Sequence, residues 1–330
     1  MENNREENVK GRRCRQGMLA AVLAIGATTA QAEYPDKPVR FILGFSPGGG
    51  VDIQARIVGD ALQKKWGQTI VIESRAGANG SIAAEFVSRA APDGYTLVWV
   101  SNAHTATPSL LKLNYDAIQS FAPITQVTRT PDVMVVRSSF PGKTLQEFIA
   151  LARAKPGELS YASVGTVGAP FLEMEMLMKQ TGIKLNHVPY KGGGDAVISV
   201  LAGNTQAYFG VMATMLGHIG SGELRALALS SEKRSPKLPE VPTVAEAAGL
   251  ERFDAADSQW TAVLAPAGTP KPIVDKLYRD FSDVLMSAEV QQRMAEVGFI
   301  PVASTPEALT AMMTKDIPKW AALLKDVPRQ

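Results

Sequence analysis

Gly44-Phe45-Ser46-Pro47-Gly48 matches G-x-S-x-G, the elbow that presents a nucleophilic serine between a strand and a helix. Such an elbow takes half of its oxyanion hole from the backbone N–H after the serine. Here that residue is Pro47, which has none. His104, His187 and His218 are the bases available to such a serine. An exported serine hydrolase using Ser46 is therefore kept as the alternative chemistry, and Ser46 reads better as a turn or hydrogen-bonding residue. The glycines that follow, Gly48-Gly49-Gly50, point to binding. Without a Cβ the backbone can approach a ligand closely. The unpaired N–H groups and dipole of a helix starting there favour an anion. A tight strand-to-helix connection is the bland reading of the same glycines.

Other chemistries fit less well. Glu73 lies about where a ribose-binding acid would follow a dinucleotide turn, but Ile53 occupies the position where G-x-G-x-x-G needs a small residue. The three histidines have no metal-ligand spacing and no cysteine to join them, so no metal site and no cofactor are expected. Lys191 is expected on the rim of a cleft, Met174 and Met178 in a core, and Asp52 and Asp195 as helix caps. No paired general acid and base emerges, which favours binding over catalysis.

These residues need strands and helices to position them. An apolar run at 41–43 reads as a strand, and apolar residues at helical spacing follow over 52–66. Strands at 69–72 and 95–100 and a helix at 81–90 complete a βαβαβ block, the pattern of a parallel sheet covered on both faces. The stretch 102–120 is polar and irregular, and strands are expected at 121–127 and 133–136 with the first crossing between domains beside them. A second α/β block follows. Thr144 and Glu147 form a capping box for a helix ending at Ala154. Strands at 161–163 and 183–188 each run into a glycine turn, Gly165-Thr166-Val167-Gly168-Ala169 and Tyr190-Lys191-Gly192-Gly193-Gly194-Asp195, with helices at 171–180 and 196–202 behind them. Strands at 207–210 and 226–229 flank a short helix at 215–219. The chain returns to the first block just before a strand at 260–265 and ends in helices at 272–286, 288–297 and 306–324. Three strand, glycine turn, helix units drawn from two blocks suggest a ligand site between domains.

The 330 residues suit roughly two domains. The first 32 stand apart. Lys10, Arg12, Arg13 and Arg15 precede an apolar stretch at 18–27, and Ala30-Gln31-Ala32 is an A-x-A cleavage signal. The apolar stretch is shorter than the about 20 residues that span a bilayer. Export to a periplasm is expected, with cleavage after Ala32. The leader also holds Cys14, the only cysteine, so the mature chain has no thiol chemistry. Removing it takes away Arg5, Lys10, Arg12, Arg13 and Arg15 against Glu2, Glu6 and Glu7, leaving opposite charges in balance. No basic face for nucleic acid is expected.

The sequence resembles the periplasmic solute-binding receptors of tripartite tricarboxylate transporters, the Bug receptors. The matching residues run along the mature chain: Tyr34-Pro35 to Arg40; Phe45-Ser46-Pro47-Gly48-Gly49 with Asp52, Ala55 and Arg56; Glu73 and Arg75-Ala76-Gly77-Ala78-Asn79-Gly80. They continue through Ala91-Pro92-Asp93-Gly94-Tyr95-Thr96-Leu97, Phe121-Ala122-Pro123, Tyr161-Ala162-Ser163, His187-Val188-Pro189-Tyr190-Lys191-Gly192, Leu238-Pro239-Glu240-Val241-Pro242-Thr243, Trp260 and Ala265-Pro266-Ala267-Gly268-Thr269-Pro270. The resemblance implies an α/β, two-lobed Venus-flytrap of type II-like form, each lobe a mainly parallel sheet flanked by helices. One lobe would comprise 33–132 and 255–330, the other the inserted 133–254. It implies a monomer that closes on a small carboxylate and serves integral-membrane transporter subunits; a sensor feeding a membrane kinase is the other receptor role. The ligand-binding set is then Phe45, Ser46, Gly48, Gly49, Gly50, Val51, Asp52 and Asn102 from the first lobe. The second supplies Gly165, Thr166, Val167, Gly168, Ala169, Tyr190, Gly192, Gly193, Gly194 and Asp195. Two departures from the family pattern, Val51 and Ala169-Pro170-Phe171-Leu172, replace polar donors with apolar groups. They lead to the expectation of a carboxylate with an apolar or aromatic body.

Overall fold

In chain order the elements are β1 (Val39–Leu43), α1 (Gly50–Trp66), β2 (Ile70–Ser74), α2 (Ser81–Ser88), β3 (Thr96–Ser101), α3 (Ala103–Ala106), β4 (Phe121–Arg129), β5 (Asp132–Arg137), α4 (Leu145–Ala154), β6 (Ser160–Val164), α5 (Ala169–Thr181), β7 (Asn186–Tyr190), α6 (Gly193–Ala202), β8 (Ala207–Val211), α7 (Met212–Gly220), β9 (Leu224–Leu229), α8 (Val244–Ala248), β10 (Trp260–Pro266), α9 (Lys271–Leu285), α10 (Ala288–Glu296), β11 (Ile300–Pro301) and α11 (Pro306–Leu323). They come from a computed structural model that describes residues 34–45, 47–190, 193–255 and 258–325. The expected leader, Ser46, Lys191 and Gly192 lie outside the described residues.

The strands form two sheets, ordered β11-β4-β10-β3-β1-β2 and β7-β6-β8-β5-β9. Both are mixed rather than mainly parallel. In the first, β1 pairs in parallel with β2 and β3, while β10 runs antiparallel to β3 and β4. In the second, β6 pairs in parallel with β7 and β8, and β5 runs antiparallel to β8 and β9. The cause is the route of the chain. It leaves the first sheet along β4 and returns along β10, and neighbouring strands that carry a chain out and back must oppose one another.

Burial follows the apolar pattern. Phe41, Ile42 and Leu43 of β1 are buried, and Phe41 packs against Trp99 and Phe281 at centroid distances of 5.7 and 5.8 Å. Helix α1 stops at Gly67, whose left-handed backbone suits glycine. The Thr144 hydroxyl caps α4 by accepting the Glu147 N–H at 3.2 Å, but the Glu147 carboxylate reaches Lys143 N–H at 2.5 Å instead of closing the box on Thr144. A complete box forms elsewhere, between Thr243 and Glu246 at the start of α8. β7 begins later than expected because Ile183 and Leu185 pack into the core ahead of it, and Pro189 is tolerated because β7 is an edge strand.

The stretch 102–120 is irregular only in its later part, because it opens with the short helix α3. Residues Asn102 to Thr107 are buried, with α3 inside them. Thr105 and Thr107 donate their hydroxyls back to the Asn102 and Ala103 carbonyls at 2.9 and 2.6 Å, which makes a polar segment compatible with burial. His104 Nε2 contacts the Ala117 carbonyl at 2.8 Å, and the ring stacks on Tyr115 and meets Phe121 edge-on. Burial pushes its pKa down to about 4.

Helix α11 connects the two cores. Leu309 and Met313 pack with Ile42, Val98 and Trp260, whereas Trp320 and Leu323 pack with Met134, Val136 and Phe148 of the second sheet's side. Between them sits Pro318, which removes one helical N–H donor. A second tie is polar. The buried Gln54 of α1 accepts from Thr128 of β4 at 2.9 Å and from Thr261 of β10 at 2.6 Å.

Two outcomes test these packings. Gln54→Leu leaves both threonine hydroxyls without that acceptor and is expected to cost about 1–3 kcal/mol in urea unfolding, with the denaturant slope unchanged. His104 is neutral when folded and ordinary when unfolded, so the unfolded chain binds the extra proton between about pH 6.5 and 4. The contribution of His104 to stability is therefore complete above that window and is lost, by about 3 kcal/mol, as pH drops through it. His104→Leu should lack that contribution, so the stability difference between variant and wild type should change by that amount in melts recorded across the same range.

Candidate functional site

All three glycine turns lie at the carboxyl ends of parallel strands, β1, β6 and β7, where open α/β sheets place their ligands. The first begins at Phe45, whose ring lies against Gly80, and runs through Gly48 in the left-handed region to Gly49. Gly49 is the N-cap of α1, has extended backbone and contributes no side-chain cap. Gly48, Gly49 and Gly50 are exposed and Val51 is half-buried. The first-turn N–H groups of α1 thus have no side chain of the cap residue over them. Asp52 braces this turn from behind: its carboxylate accepts from Gly48 N–H and from Arg56 Nε, each at 3.0 Å. The Arg56 hydrogen bond, aided by the Gly48 N–H, holds the Asp52 carboxyl below its usual range.

The second turn repeats the device. Gly165 is left-handed, and Gly168 is an extended N-cap of α5, again with no side-chain cap. A Cβ on Gly168 would come within 2.7 Å of the Val164 carbonyl oxygen, so only glycine fits. Thr166 is half-buried, whereas Val167 and Ala169 are turned into the core. Ser163 fixes the turn by donating to the Gly165 carbonyl at 2.6 Å. With its one proton used there, its oxygen receives the His187 Nε2–H at 2.6 Å. His187 lies over Tyr161 and Phe171, and burial lowers its pKa. It is a neutral donor that pins the second turn and is not set up to take a proton from Ser163. His218 contacts Glu223 at 2.8 Å on the surface. Each histidine offered to the hydrolase alternative therefore already has another partner.

In the third turn, Gly193 opens α6 and Gly194 and Asp195 are exposed. A Cβ on Gly193 would lie 3.3 Å from the Tyr208 hydroxyl. Tyr190 turns its own hydroxyl to Ser199 along α6, at 2.6 Å, and not into the groove. Asn102, at the end of β3, is buried. Its N–H donates to the Trp260 carbonyl at 3.1 Å, while its Nδ2 has no partner among the described residues. That leaves one spare donor at the carboxyl edge of the first sheet.

Asn79 is the site residue that the sequence reading missed. It lies in Gly77-Ala78-Asn79-Gly80, four successive residues at positive φ. A Cβ on Gly165 would be 3.8 Å from Asn79 Oδ1, so this loop of the first sheet meets the second turn across the groove. Asn is the non-glycine residue that best tolerates this backbone, and Asn79 beside Gly80 was the available signal. One of the two supports for an apolar ligand body is removed, while Val51 remains half-buried in the first turn. Phe171 and Leu172 pack into the core of the second sheet rather than facing the groove, so they add no apolar surface for an aromatic ligand body.

The loop rests on a backbone contact. A Cβ on Gly44 would come within 2.5 Å of the Gly80 Cα, and neither atom belongs to a flexible side chain. Gly44→Ala is expected to destabilise by about 2–3 kcal/mol and to push the Asn79 loop off the groove, which calorimetry would read as a lowered midpoint.

The comparisons agree with this geometry. The model of the tripartite tricarboxylate transporter family receptor matches residues 54–328. Protein BugT of Bordetella pertussis is 35% identical over 313 residues, 94% of this chain and 95% of that protein. Among solved structures, Rpa4515 of R. palustris with adipate has a TM-score of 0.79 at 30% identity, over 89% of this chain and 98% of that one. MatC from Rhodopseudomonas palustris with bound malate has a TM-score of 0.77 at 30% identity, over 88% and 100%. Glycine turns, mixed sheets and matches over most of the chain coincide, and the chain belongs to the receptor family of the tripartite tricarboxylate transporters.

Proposed function

We propose that this protein captures a small carboxylate between its two lobes and delivers it to integral-membrane subunits of a tripartite transporter, without chemical turnover. The observation that carries the reading is the pair of uncapped helix N-termini, Gly49 before α1 and Gly168 before α5, one on each sheet. Backbone N–H groups and helix dipoles bind a carboxylate without a cationic side chain. Relatives with adipate and malate bound favour an aliphatic dicarboxylate. The inferred lobes are 33–132 with 255–330, and 133–254. Export would follow cleavage after Ala32. No helix among the described residues is long and apolar enough to cross a membrane. Closure brings the two turns onto opposite ends of the ligand, and contacts made only in the closed form shift the population toward it.

The test is thermal unfolding of the exported chain with adipate, malate, citrate and benzoate, together with p-nitrophenyl acetate for turnover. A ligand at a hundred times its Kd adds about 2.7 kcal/mol, a midpoint shift of about 5 °C or more. A shift with dicarboxylates and no ester cleavage is expected. Gly49 has ordinary extended backbone, so Gly49→Leu should fold normally yet bind at least about a hundredfold more weakly because its side chain fills the approach. Unchanged binding by that variant would refute the placement of the ligand.

A further inference from the structure

Two carboxylic acids are buried together where the chain passes between the sheets. Asp132 is the first residue of β5, directly after the crossing from β4, and Glu173 lies in α5; both are completely buried. Ser230, just past β9, accepts the Asp132 N–H at 3.0 Å and places its hydroxyl on Glu173. Ser258, just before the return strand β10, donates to Glu173 Oε1 at 3.1 Å. Both Asp132 oxygens and Glu173 Oε2 are left with no donor among the described residues.

No cation among the described residues reaches the pair. Glu175 of α5 accepts from Tyr161 at 2.6 Å, and Lys179 reaches the Ala322 carbonyl at 3.4 Å. Asp254 holds Arg252 at 2.7 Å. Arg137 and Arg225 lie at the opposite ends of β5 and β9. Arg129 of β4 and Asp195 of α6 are exposed. Tyr208 of β8 is the titratable group that feels both acids, and its hydroxyl is the atom 3.3 Å from the Cβ position at Gly193 in the third turn. The pair itself lies at the carboxyl edge of the second sheet, where Asp132 is level with Val211 at the end of β8 and Glu173 is in the second turn of α5 behind its Gly168 N-cap.

Two ionised carboxylates cannot share such a site, and a proton between them supplies the missing donor as O–H···O. We propose that Asp132 and Glu173 form a proton-binding site beneath the cleft, and that proton and carboxylate ligand promote each other's binding. Burial pushes both acids up, Asp132 to about 7, and the proximity of Asp132 raises Glu173 further. Around neutral pH the pair gains or loses one unit of negative charge behind an anion site. The proton is the only species transferred, and it goes to or comes from solvent.

The inference rests on the receptor reading for its ligand half, so the test has a ligand-free arm. The folded pair keeps protons that unfolded carboxyls release near pH 4, so stability falls as pH rises through about 7. The His104 effect has the opposite sign and lies below pH 6.5, so the range from pH 6.5 to 8 isolates the pair. Over that range the wild-type midpoint should fall, and Glu173→Gln, whose amide is a permanent donor to Asp132, should hold it level. Asp132→Asn is the reciprocal variant if Glu173→Gln does not fold. Equal slopes in wild type and variants would overturn the proton site. In the second arm, titration calorimetry with adipate and malate in buffers of different ionisation enthalpy should show proton uptake near pH 7 and roughly tenfold weaker binding at pH 8 than at pH 6. Both effects should vanish in Glu173→Gln. Binding that is independent of pH, or linkage that persists in the variant, would overturn the coupling. Failure of both acids to bind at either pH would strike the receptor reading and the coupling together, while the slope in the first arm still judges the proton site.

Discussion

A buried carboxamide oxygen holds together the parts that have to act together. Gln54 accepts from Thr128 on the strand leaving the first sheet and from Thr261 on the strand returning to it. Gln54 itself lies in the first turns of α1, the helix whose N-terminus opens the groove. The two threonine hydroxyls are 2.8 Å apart, so they can satisfy only part of their own demand if the glutamine is lost. In a site shielded from water each unsatisfied group costs about 1–3 kcal/mol. The N-terminal end of α1 is thereby locked to the strands by which the chain leaves and re-enters the first sheet.

The groove is made almost wholly from backbone. Gly49 and Gly168 leave their helices uncapped by side chains, Gly168 cannot carry a Cβ, and Gly44 and Gly80 touch through their Cα atoms. Side chains brace these turns from behind: Asp52 the first, Ser163 with His187 the second, Tyr208 the third. Backbone N–H groups at a helix N-terminus recognise negative charge rather than the detail of a ligand's substituents. That is consistent with adipate and malate, which differ in chain length and in a hydroxyl, each being bound by a relative at 30% identity.

Much of this was legible in sequence because glycine, proline and apolar spacing have direct backbone meanings. The three turns, the strands that feed them and the long terminal helices follow from those signals. The parts that were not legible depend on tertiary partners. Gln54 looks like a solvent-facing residue of α1 until two threonines from strands far along the chain arrive. The stretch from Asn102 to Thr107 looks like a polar loop because its threonines carry hydroxyls, yet they bond to their own backbone. Phe171 is as apolar as a ligand-facing residue would be, and only the position of His187 and the core decides which way it points. Mixed sheets were hidden because strand direction is a property of the route between sheets, not of any one strand.

The electrostatics on the two sides of the groove floor are unlike in kind. Above it, the helix N-termini offer partial positive charge that is fixed by peptide geometry and does not titrate. Below it, Asp132 and Glu173 offer negative charge that depends on a proton. A buried acid pair without a cation is expensive when ionised, and a pair of apolar residues would pack there without that penalty. Its contacts with Ser230 after β9 and Ser258 before β10 place that cost where the chain passes between the two sheets. Asp132 is level with the carboxyl end of β8 and Glu173 lies one turn behind the Gly168 N-cap, so a change in their charge falls at the edge of the sheet that carries the glycine turns. The fixed dipoles set the sign of the ligand, and the proton on the acid pair sets how strongly that sign is favoured.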